Sequence, residues 1–94
     1  MKVLWTQSAV GHLQSAFEYL NAENPRAAAE SVERILSAVE RVKQFPNMGR
    51  PGRVEDTREL VVTGTPFLVA YRLKAEHIQI LAVLPAARKW PAGF

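Results

Sequence analysis

The stretch Thr57–Leu84, TRELVVTGTPFLVAYRLKAEHIQILAVL, decides the fold. It contains three runs rich in valine, leucine, isoleucine and aromatic residues, at positions 57–62, 67–73 and 78–84. The spacers 63–66 and 74–77 allow hairpins but are too short for a crossover helix. These runs therefore predict three strands of an antiparallel meander, with the nearly continuous apolar run 67–73 at its centre.

The preceding part of the chain predicts one short strand and two helices. The apolar run 2–5 is typical of a strand, and residues 8–21 and 25–45 carry apolar side chains at helical spacing. Asn24 and Pro25 suit the cap and first position of the second helix, and Pro46 ends it. The predicted order is β-α-α-β-β-β. This is an α+β fold in which an N-terminal helical hairpin packs on an antiparallel sheet.

Length and composition predict a single domain, residues 1–94. The chain is 48% hydrophobic and 22% charged, which excludes the composition of a disordered protein. Its apolar runs are much shorter than a membrane span, and its N-terminus lacks the features of a signal peptide. Without cysteine it forms no disulfide. We therefore expect a cytoplasmic protein that does not enter a membrane.

Positive charge is concentrated in the second half of the chain. Residues 43–94 hold eight lysines and arginines against four acidic residues, whereas residues 1–42 hold four against five. This asymmetry predicts a surface that binds an anionic target or partner. The candidate binding residues lie in the Gly/Pro-rich loop predicted over residues 46–56, in two strands and near the C-terminus: Arg50, Arg53, Arg58, Arg72, Arg88, Lys89 and Trp90.

Each candidate also has a structural interpretation. Arg50 and Arg53 could be solvated loop residues, and Arg58 could pair with a carboxylate instead of a target. Arg72 could pair across strands with Glu76 or Glu59. Tyr71 is favoured as a core residue with its hydroxyl at the rim. The near-terminal basic and aromatic residues at 88–90 are the strongest candidates, because such a cluster can bind phosphate or stack on a base.

No cofactor or metal is expected. His12 and His77 are far apart in sequence, and neither has a cysteine, aspartate or glutamate at ligand spacing. The sequence also lacks a phosphate-binding loop, a dinucleotide-binding glycine motif and a Ser-His-Asp pattern.

The order of elements and five short motifs resemble the RelE/ParE superfamily of bacterial toxins, which belong to type II toxin–antitoxin systems. The motifs are Asn24-Pro25 with Ala27-Ala28, Pro46-x-x-Gly49-Arg50, Thr57–Val62, Val69–Arg72 and Arg88–Pro91. RelE-like members cleave mRNA in the ribosome without metal, and ParE-like members inhibit DNA gyrase. The resemblance also implies a cognate antitoxin that binds and silences the toxin.

The residues favour the ParE-like branch. Metal-free RNA cleavage requires a base for the ribose 2′-OH. RelE-like enzymes commonly carry a cation where Phe67 and Leu68 stand here, and a histidine or lysine is often seen where this chain has Pro85-Ala86-Ala87. The arginines that remain stay protonated and make poor bases.

The resemblance therefore predicts a plasmid-stabilisation toxin that arrests growth by inhibiting DNA gyrase, is not an enzyme, and forms a hetero-oligomer with its antitoxin. The antitoxin tail is expected to be apolar with acidic residues. One alternative is a ribosome-dependent, metal-independent mRNA endonuclease in which Arg58, Arg72 and Arg88 stabilise the scissile phosphate. The other is a homologue that binds its antitoxin without being toxic.

Overall fold

A computed structural model describes residues 1–87 of the chain. In chain order these form strand β1, helices α1 and α2, and strands β2 to β5. Their bounds are Lys2–Trp5, Gln7–Glu23, Pro25–Gln44, Arg50–Pro51, Thr57–Val61, Phe67–Leu73 and His77–Pro85. The predicted helical hairpin and the three predicted C-terminal strands are confirmed, with ends that differ by one or two residues.

Side-chain caps fix where both helices begin. The Thr6 Oγ1 accepts a hydrogen bond from the Ala9 N–H at 3.1 Å, and the Asn24 Oδ1 accepts one from the Ala27 N–H at 3.1 Å. Each cap satisfies a backbone donor that has no partner within the first helical turn. The second cap confirms the role predicted for Asn24, and α2 ends immediately before Phe45 and Pro46.

The five strands form one sheet in the order β1-β5-β4-β3-β2. Strands β3, β4 and β5 form the predicted antiparallel meander, with β4 at the centre. The sheet as a whole is mixed, because β1 pairs with β5 in parallel, with Lys2 opposite His77. This pairing differs from the expected antiparallel sheet. It is possible because the helical hairpin and strands β2 to β4 separate β1 from β5 along the chain, and parallel neighbours need a long connection.

A second difference lies in segment 46–56, which the sequence predicts to be entirely loop. Residues Arg50–Pro51 form the short edge strand β2, antiparallel to β3, with Arg50 opposite Glu59. Pro51 is compatible with this position because proline is tolerated at the edge of a sheet. The strand brings segment 46–56, which we call the basic loop, against the sheet.

The main core lies between the helices and one face of the sheet. Its largest fully buried side chains include Tyr71, Ile35, Ile78, Ile80 and Val42. A second, smaller group of buried apolar residues is Leu68, Ala70, Leu81, Ala82 and Leu84. The register of β4 against β5 shifts between Ala70 and Tyr71, which leaves Leu81 as an extra residue in β5.

Helix α1 continues along the edge of β5 where β1 ends. The Thr6 N–H and hydroxyl both donate to the Ile80 carbonyl, at 3.1 and 2.9 Å. Farther along, the Val83 N–H donates to Nδ1 of His12 at 3.2 Å. His12 therefore has a structural role that its isolation in the sequence did not predict.

Candidate functional site

Tyr71 links the end of α2 to the middle of the sheet. Its ring is fully buried, and its hydroxyl makes two hydrogen bonds to the segment that follows α2. The hydroxyl accepts from the Gly49 N–H at 2.9 Å and donates to the Pro46 carbonyl at 2.8 Å. This agrees with the core role favoured for Tyr71 from sequence, and it fixes the path of the basic loop.

Gly49 is required by this close approach. A Cβ at this position would lie 2.7 Å from the Tyr71 Oη and 3.0 Å from the backbone oxygen of Glu59. Such distances are shorter than carbon–oxygen van der Waals contact, so a larger residue would displace either the tyrosine or β3. The glycine in the Pro46-x-x-Gly49 motif therefore has a packing function.

Arg58 also holds the basic loop. Its Nη1 donates to the Gly49 carbonyl at 2.7 Å and to the Asn47 carbonyl at 3.3 Å. On the sheet Arg58 lies opposite Tyr71, while Glu59 lies opposite Ala70, so the two neighbours point to opposite faces as expected. We call Gly49, Arg58 and Tyr71 the loop clasp. Arg58 thus binds backbone carbonyls, a role that neither sequence-based interpretation included.

Arg50 pairs with Glu59. The Arg50 Nε and Glu59 Oε1 lie 2.5 Å apart; the Glu59 side chain is 11% exposed and that of Arg50 is 62% exposed. The suggested pairing of Arg72 with Glu59 or Glu76 is not found within residues 1–87, where Arg72 takes part in no ion pair. The strand register explains why Glu59 pairs with Arg50 and not with Arg72. Arg50 lies opposite Glu59, whereas Arg72 lies opposite Thr57.

The turn before β3 presents Arg53 to solvent. The Gly52 N–H donates to the Thr57 carbonyl at 2.8 Å, and the Thr57 hydroxyl donates to the Val54 carbonyl. These bonds close the turn, and Arg53 is exposed at its tip. The predicted C-terminal cluster, Arg88, Lys89 and Trp90, lies outside the described residues.

A cleft of about 420 Å³ lies at the end of the sheet beside the loop clasp. It brings together two of the predicted residues, Arg58 and Arg72. It also includes Asp56 and Lys74, which sequence reasoning missed. The predicted meander could have identified these two residues, because a β3–β4 hairpin places the residues before β3 next to those after β4. The complete lining is Pro51, Asp56, Thr57, Arg58, Arg72, Leu73 and Lys74.

The cleft can attract an anion through Arg72 and Lys74, and it contains one carboxylate, Asp56. The nearby phenol of Tyr71 is unsuited to accept a proton. Burial raises the pKa of Tyr71, although the Gly49 N–H and the Arg58 charge act in the opposite direction. Tyr71 therefore remains neutral at physiological pH and serves as a hydrogen-bonding group.

The described part of the chain provides neither a metal site nor a membrane-spanning helix. Residues 1–87 contain no group of three or more histidine, cysteine, aspartate or glutamate residues arranged to hold a metal. Neither α1 nor α2 has the combination of length and apolar character needed to cross a membrane.

Comparison with known proteins decides the family. The family model described as "ParE toxin of type II toxin-antitoxin system, parDE" matches residues 3–90. The chain belongs to the ParE toxin family. It is therefore the toxin of a type II toxin–antitoxin system, and membership of such a system supports a cognate antitoxin as its partner.

Individual relatives agree with this assignment. This ParE-family toxin is 38% identical over 90 residues to "Putative toxin Y4kP" of Sinorhizobium fredii (strain NBRC 101917 / NGR234), covering 96% of this chain and 93% of the relative. It is 29% identical over 87 residues to "Toxin RelE2" of Caulobacter vibrioides (strain ATCC 19089 / CIP 103742 / CB 15), covering 93% and 97%. The second of these relatives carries a name from the RelE branch.

The fold also matches a solved structure, described as "Chromosomal ParDE TA system from P. aeruginosa". The TM-score is 0.81 at 30% sequence identity, covering 88% of this chain and 92% of the other. The family resemblance and the α+β fold class expected from sequence are thereby confirmed.

Proposed function

We propose that this ParE-family toxin arrests growth by inhibiting DNA gyrase, and that its cognate antitoxin neutralises it in a hetero-oligomer. In this proposal the toxin acts in the cytoplasm, where gyrase works, and the pair stabilises the replicon that encodes it. The match to a ParE model over residues 3–90 supports the choice of branch.

The observation that carries the proposal is the loop clasp. A nuclease needs cations free to approach the scissile phosphate and a group able to accept a proton. Arg58 instead donates to the Gly49 and Asn47 carbonyls. Tyr71 is buried and holds its proton. Arg58 of β3 and Tyr71 of β4 thus have a structural function. This favours a toxin that acts by binding its target and does not cleave RNA.

We further propose that the target is bound through the cations that the clasp leaves available. Arg72 and Lys74 line the cleft, and Arg53 is exposed beside it. The near-terminal residues Arg88, Lys89 and Trp90, which lie outside the described residues, are proposed to contribute to target binding as well. Arg50, which pairs with Glu59, is assigned mainly to holding β2 in place.

The direct test is supercoiling by purified DNA gyrase in the presence of the purified toxin. We expect inhibition, with Arg72→Ala weakening it about tenfold or more, as expected for a central charged contact. Arg26→Ala is the matched control, because Arg26 is 90% exposed on α2 and does not line the cleft. Normal supercoiling at a saturating concentration of folded toxin would reject gyrase as the target.

The C-terminal cluster is tested in the same assay. The double variant Arg88→Ala with Lys89→Ala is expected to relieve inhibition while leaving the unfolding midpoint unchanged. Retention of full inhibition would remove the cluster from the proposed surface.

One observation favours a second candidate, a ribosome-dependent mRNA endonuclease. Asp56 lies in the same cleft as Arg58 and Arg72, so a carboxylate stands near two cations. In this alternative Asp56 accepts the 2′-OH proton, and the arginines, including Arg88, stabilise the phosphate. Cleavage of translated mRNAs at codon boundaries after induction, abolished by Asp56→Asn, would establish it. Intact mRNA during growth arrest would reject it.

The third candidate is a homologue that binds its antitoxin without poisoning the cell. Unimpaired growth during strong expression without antitoxin would favour it over both toxic mechanisms.

A further inference from the structure

The turn that follows α2 presents two large apolar side chains to solvent. Phe45 is 62% exposed and Met48 is 38% exposed. The Met48 N–H donates to the Phe45 carbonyl at 3.0 Å, which closes the turn between them. We call residues 45–48 the tip. Apolar surface grouped in this way and bordered by polar residues is typical of a binding site.

Folding does not explain why these two side chains are apolar. Phe45 is the cap residue at the end of α2, and it donates its backbone N–H to the Arg41 carbonyl at 2.8 Å. Any residue with a backbone N–H can make this bond. Among residues 1–87, neither Phe45 nor Met48 belongs to the main core, to the smaller buried group or to the residues packed against the core.

The loop clasp nevertheless fixes the backbone of the tip. The Tyr71 hydroxyl donates to the Pro46 carbonyl at 2.8 Å, and the Arg58 Nη1 donates to the Asn47 carbonyl at 3.3 Å. Gly49, which follows the tip, is buried and bonded to both of these side chains. A group that is held in place before binding loses less conformational entropy on binding. An exposed aromatic ring on a fixed backbone is therefore suited to anchor a partner.

Positive charge borders the tip on both sides. The last turn of α2, residues 41–44, carries the exposed Arg41 and Lys43 and no acidic residue. Neither of these cations takes part in an ion pair within residues 1–87. On the other side Arg58 joins the tip to the cleft, because it bonds the Asn47 carbonyl and also lines the cleft. A complementary partner offers an apolar pocket bordered by acidic residues.

We propose that the tip inserts Phe45, with Met48 beside it, into an apolar pocket bordered by carboxylates on the protein that the toxin inhibits. This inference rests on the proposed function, because it requires a protein target, and it adds an apolar anchor to the cations of the cleft. Phe45 supplies affinity, while Arg72 and Lys74 orient the target. The loop clasp then keeps the tip in the shape that fits the pocket.

A protein target fits the tip better than a second copy of the toxin. A two-fold interface places each patch against itself, so it would bring Arg41 and Lys43 of one copy near the same cations of the other. Two apolar side chains also bury far less than the ~800 Å² per partner of a stable interface. A target can reach that area by contacting the cleft as well.

Phe45→Ala tests the anchor in gyrase supercoiling and in growth arrest after induction without antitoxin. We expect inhibitory potency to fall about tenfold or more. The denaturation midpoint should stay unchanged, because the ring is largely exposed. Tyr19→Ala is the matched control, since it removes an aromatic ring that is 76% exposed on α1, and it should keep full potency. Full potency of Phe45→Ala at equal expression would overturn the proposal.

The sign of a charge placed at the same position tests the acidic border. Phe45→Asp brings a carboxylate toward the carboxylates of the target, whereas Phe45→Lys brings an opposite charge. We expect both variants to lose potency and Phe45→Asp to lose more. Equal losses, or a larger loss for Phe45→Lys, would contradict the acidic border.

Antitoxin binding shows which partner uses the tip. Phe45→Ala and wild-type toxin should bind the co-expressed antitoxin with the same affinity. Weakened antitoxin binding together with full growth arrest would overturn the assignment of the tip to the target.

The fate of the proposed function is read separately. If wild-type toxin leaves gyrase active, gyrase is rejected as the target. Relief of growth arrest by Phe45→Ala would then still support the tip as the contact with a different protein target.

Discussion

Removal of the Tyr71 hydroxyl by Tyr71→Phe should destabilise the whole toxin. The substitution keeps the buried ring and deletes the atom that bonds both the Gly49 N–H and the Pro46 carbonyl. Gly49 is itself buried, so its N–H would lack a partner without gaining access to water. An unsatisfied buried donor costs about 1–3 kcal/mol, and the lost bond to Pro46 adds about 1 kcal/mol. We therefore expect a loss of about 3 kcal/mol in the free energy of unfolding.

Guanidinium unfolding followed by circular dichroism measures this loss. For a domain of this size, with a slope of about 3 kcal/mol per M, the midpoint should fall by about 1 M. Tyr19→Phe is the matched control, because Tyr19 is 76% exposed, and its change should stay within about 0.5 kcal/mol. A loss below 0.5 kcal/mol for Tyr71→Phe would refute the reasoning that the clasp holds the loop.

A double-mutant cycle with Gly49→Ala examines the same contact from its other side. Alone, the added methyl group would lie 2.7 Å from the Tyr71 Oη and should cost about 1–3 kcal/mol. With Tyr71→Phe already present, the nearest obstructing atom is gone, and the cost should be smaller. It should not vanish, because the Glu59 carbonyl would still lie 3.0 Å away. Strict additivity of the two substitutions would indicate that they do not share a contact.

Three further outcomes are expected. Because burial raises the pKa of Tyr71 in the fold, its contribution to stability should be complete below the unfolded value near 10 and decline as pH rises through the folded value. In urea titrations the stability advantage over Tyr71→Phe should therefore shrink as pH rises above about 10. His12→Ala should cost about 1–2 kcal/mol by leaving a β5 N–H unpaired, whereas His77→Ala, with no described side-chain hydrogen bond in residues 1–87, should cost less in thermal unfolding. Arg50→Ala should cost about 1 kcal/mol, because the nearly buried Glu59 loses a charged partner that is itself largely exposed; an unchanged denaturation midpoint would contradict this role.

The elements of the fold were accessible from the sequence because their signals are local. The stripe that buries Ile35, Val39 and Val42 in α2 is visible as spacing along the chain. The cap at Asn24 and the end of the helix at Pro46 likewise depend on neighbouring residues. The three C-terminal strands follow from apolar runs separated by spacers that only hairpins can fit.

The parallel pairing of β1 with β5 could not be predicted from the sequence. A single short apolar run does not specify its partner, and Lys2 lies opposite His77, a residue 75 positions farther along the chain. The edge strand at Arg50–Pro51 also depends on a tertiary contact, since it exists by lying beside β3.

Part of the candidate site could be predicted from the sequence. The charge asymmetry located Arg58 and Arg72, and the cleft brings them together. The sequence could not distinguish a target-binding arginine from one that binds carbonyls, because that depends on where the Gly49 backbone passes. Asp56 carried no motif, and only the completed hairpin places it beside Arg72.

The pairing of the first and last described strands also determines when the toxin can fold. The strand β1 meets a partner that is synthesised 75 residues later, with Trp5 opposite Ile80. During translation the helical hairpin emerges from the ribosome well before the sheet that buries its apolar face. The nascent chain therefore cannot assemble its native surface until β5 has left the exit tunnel.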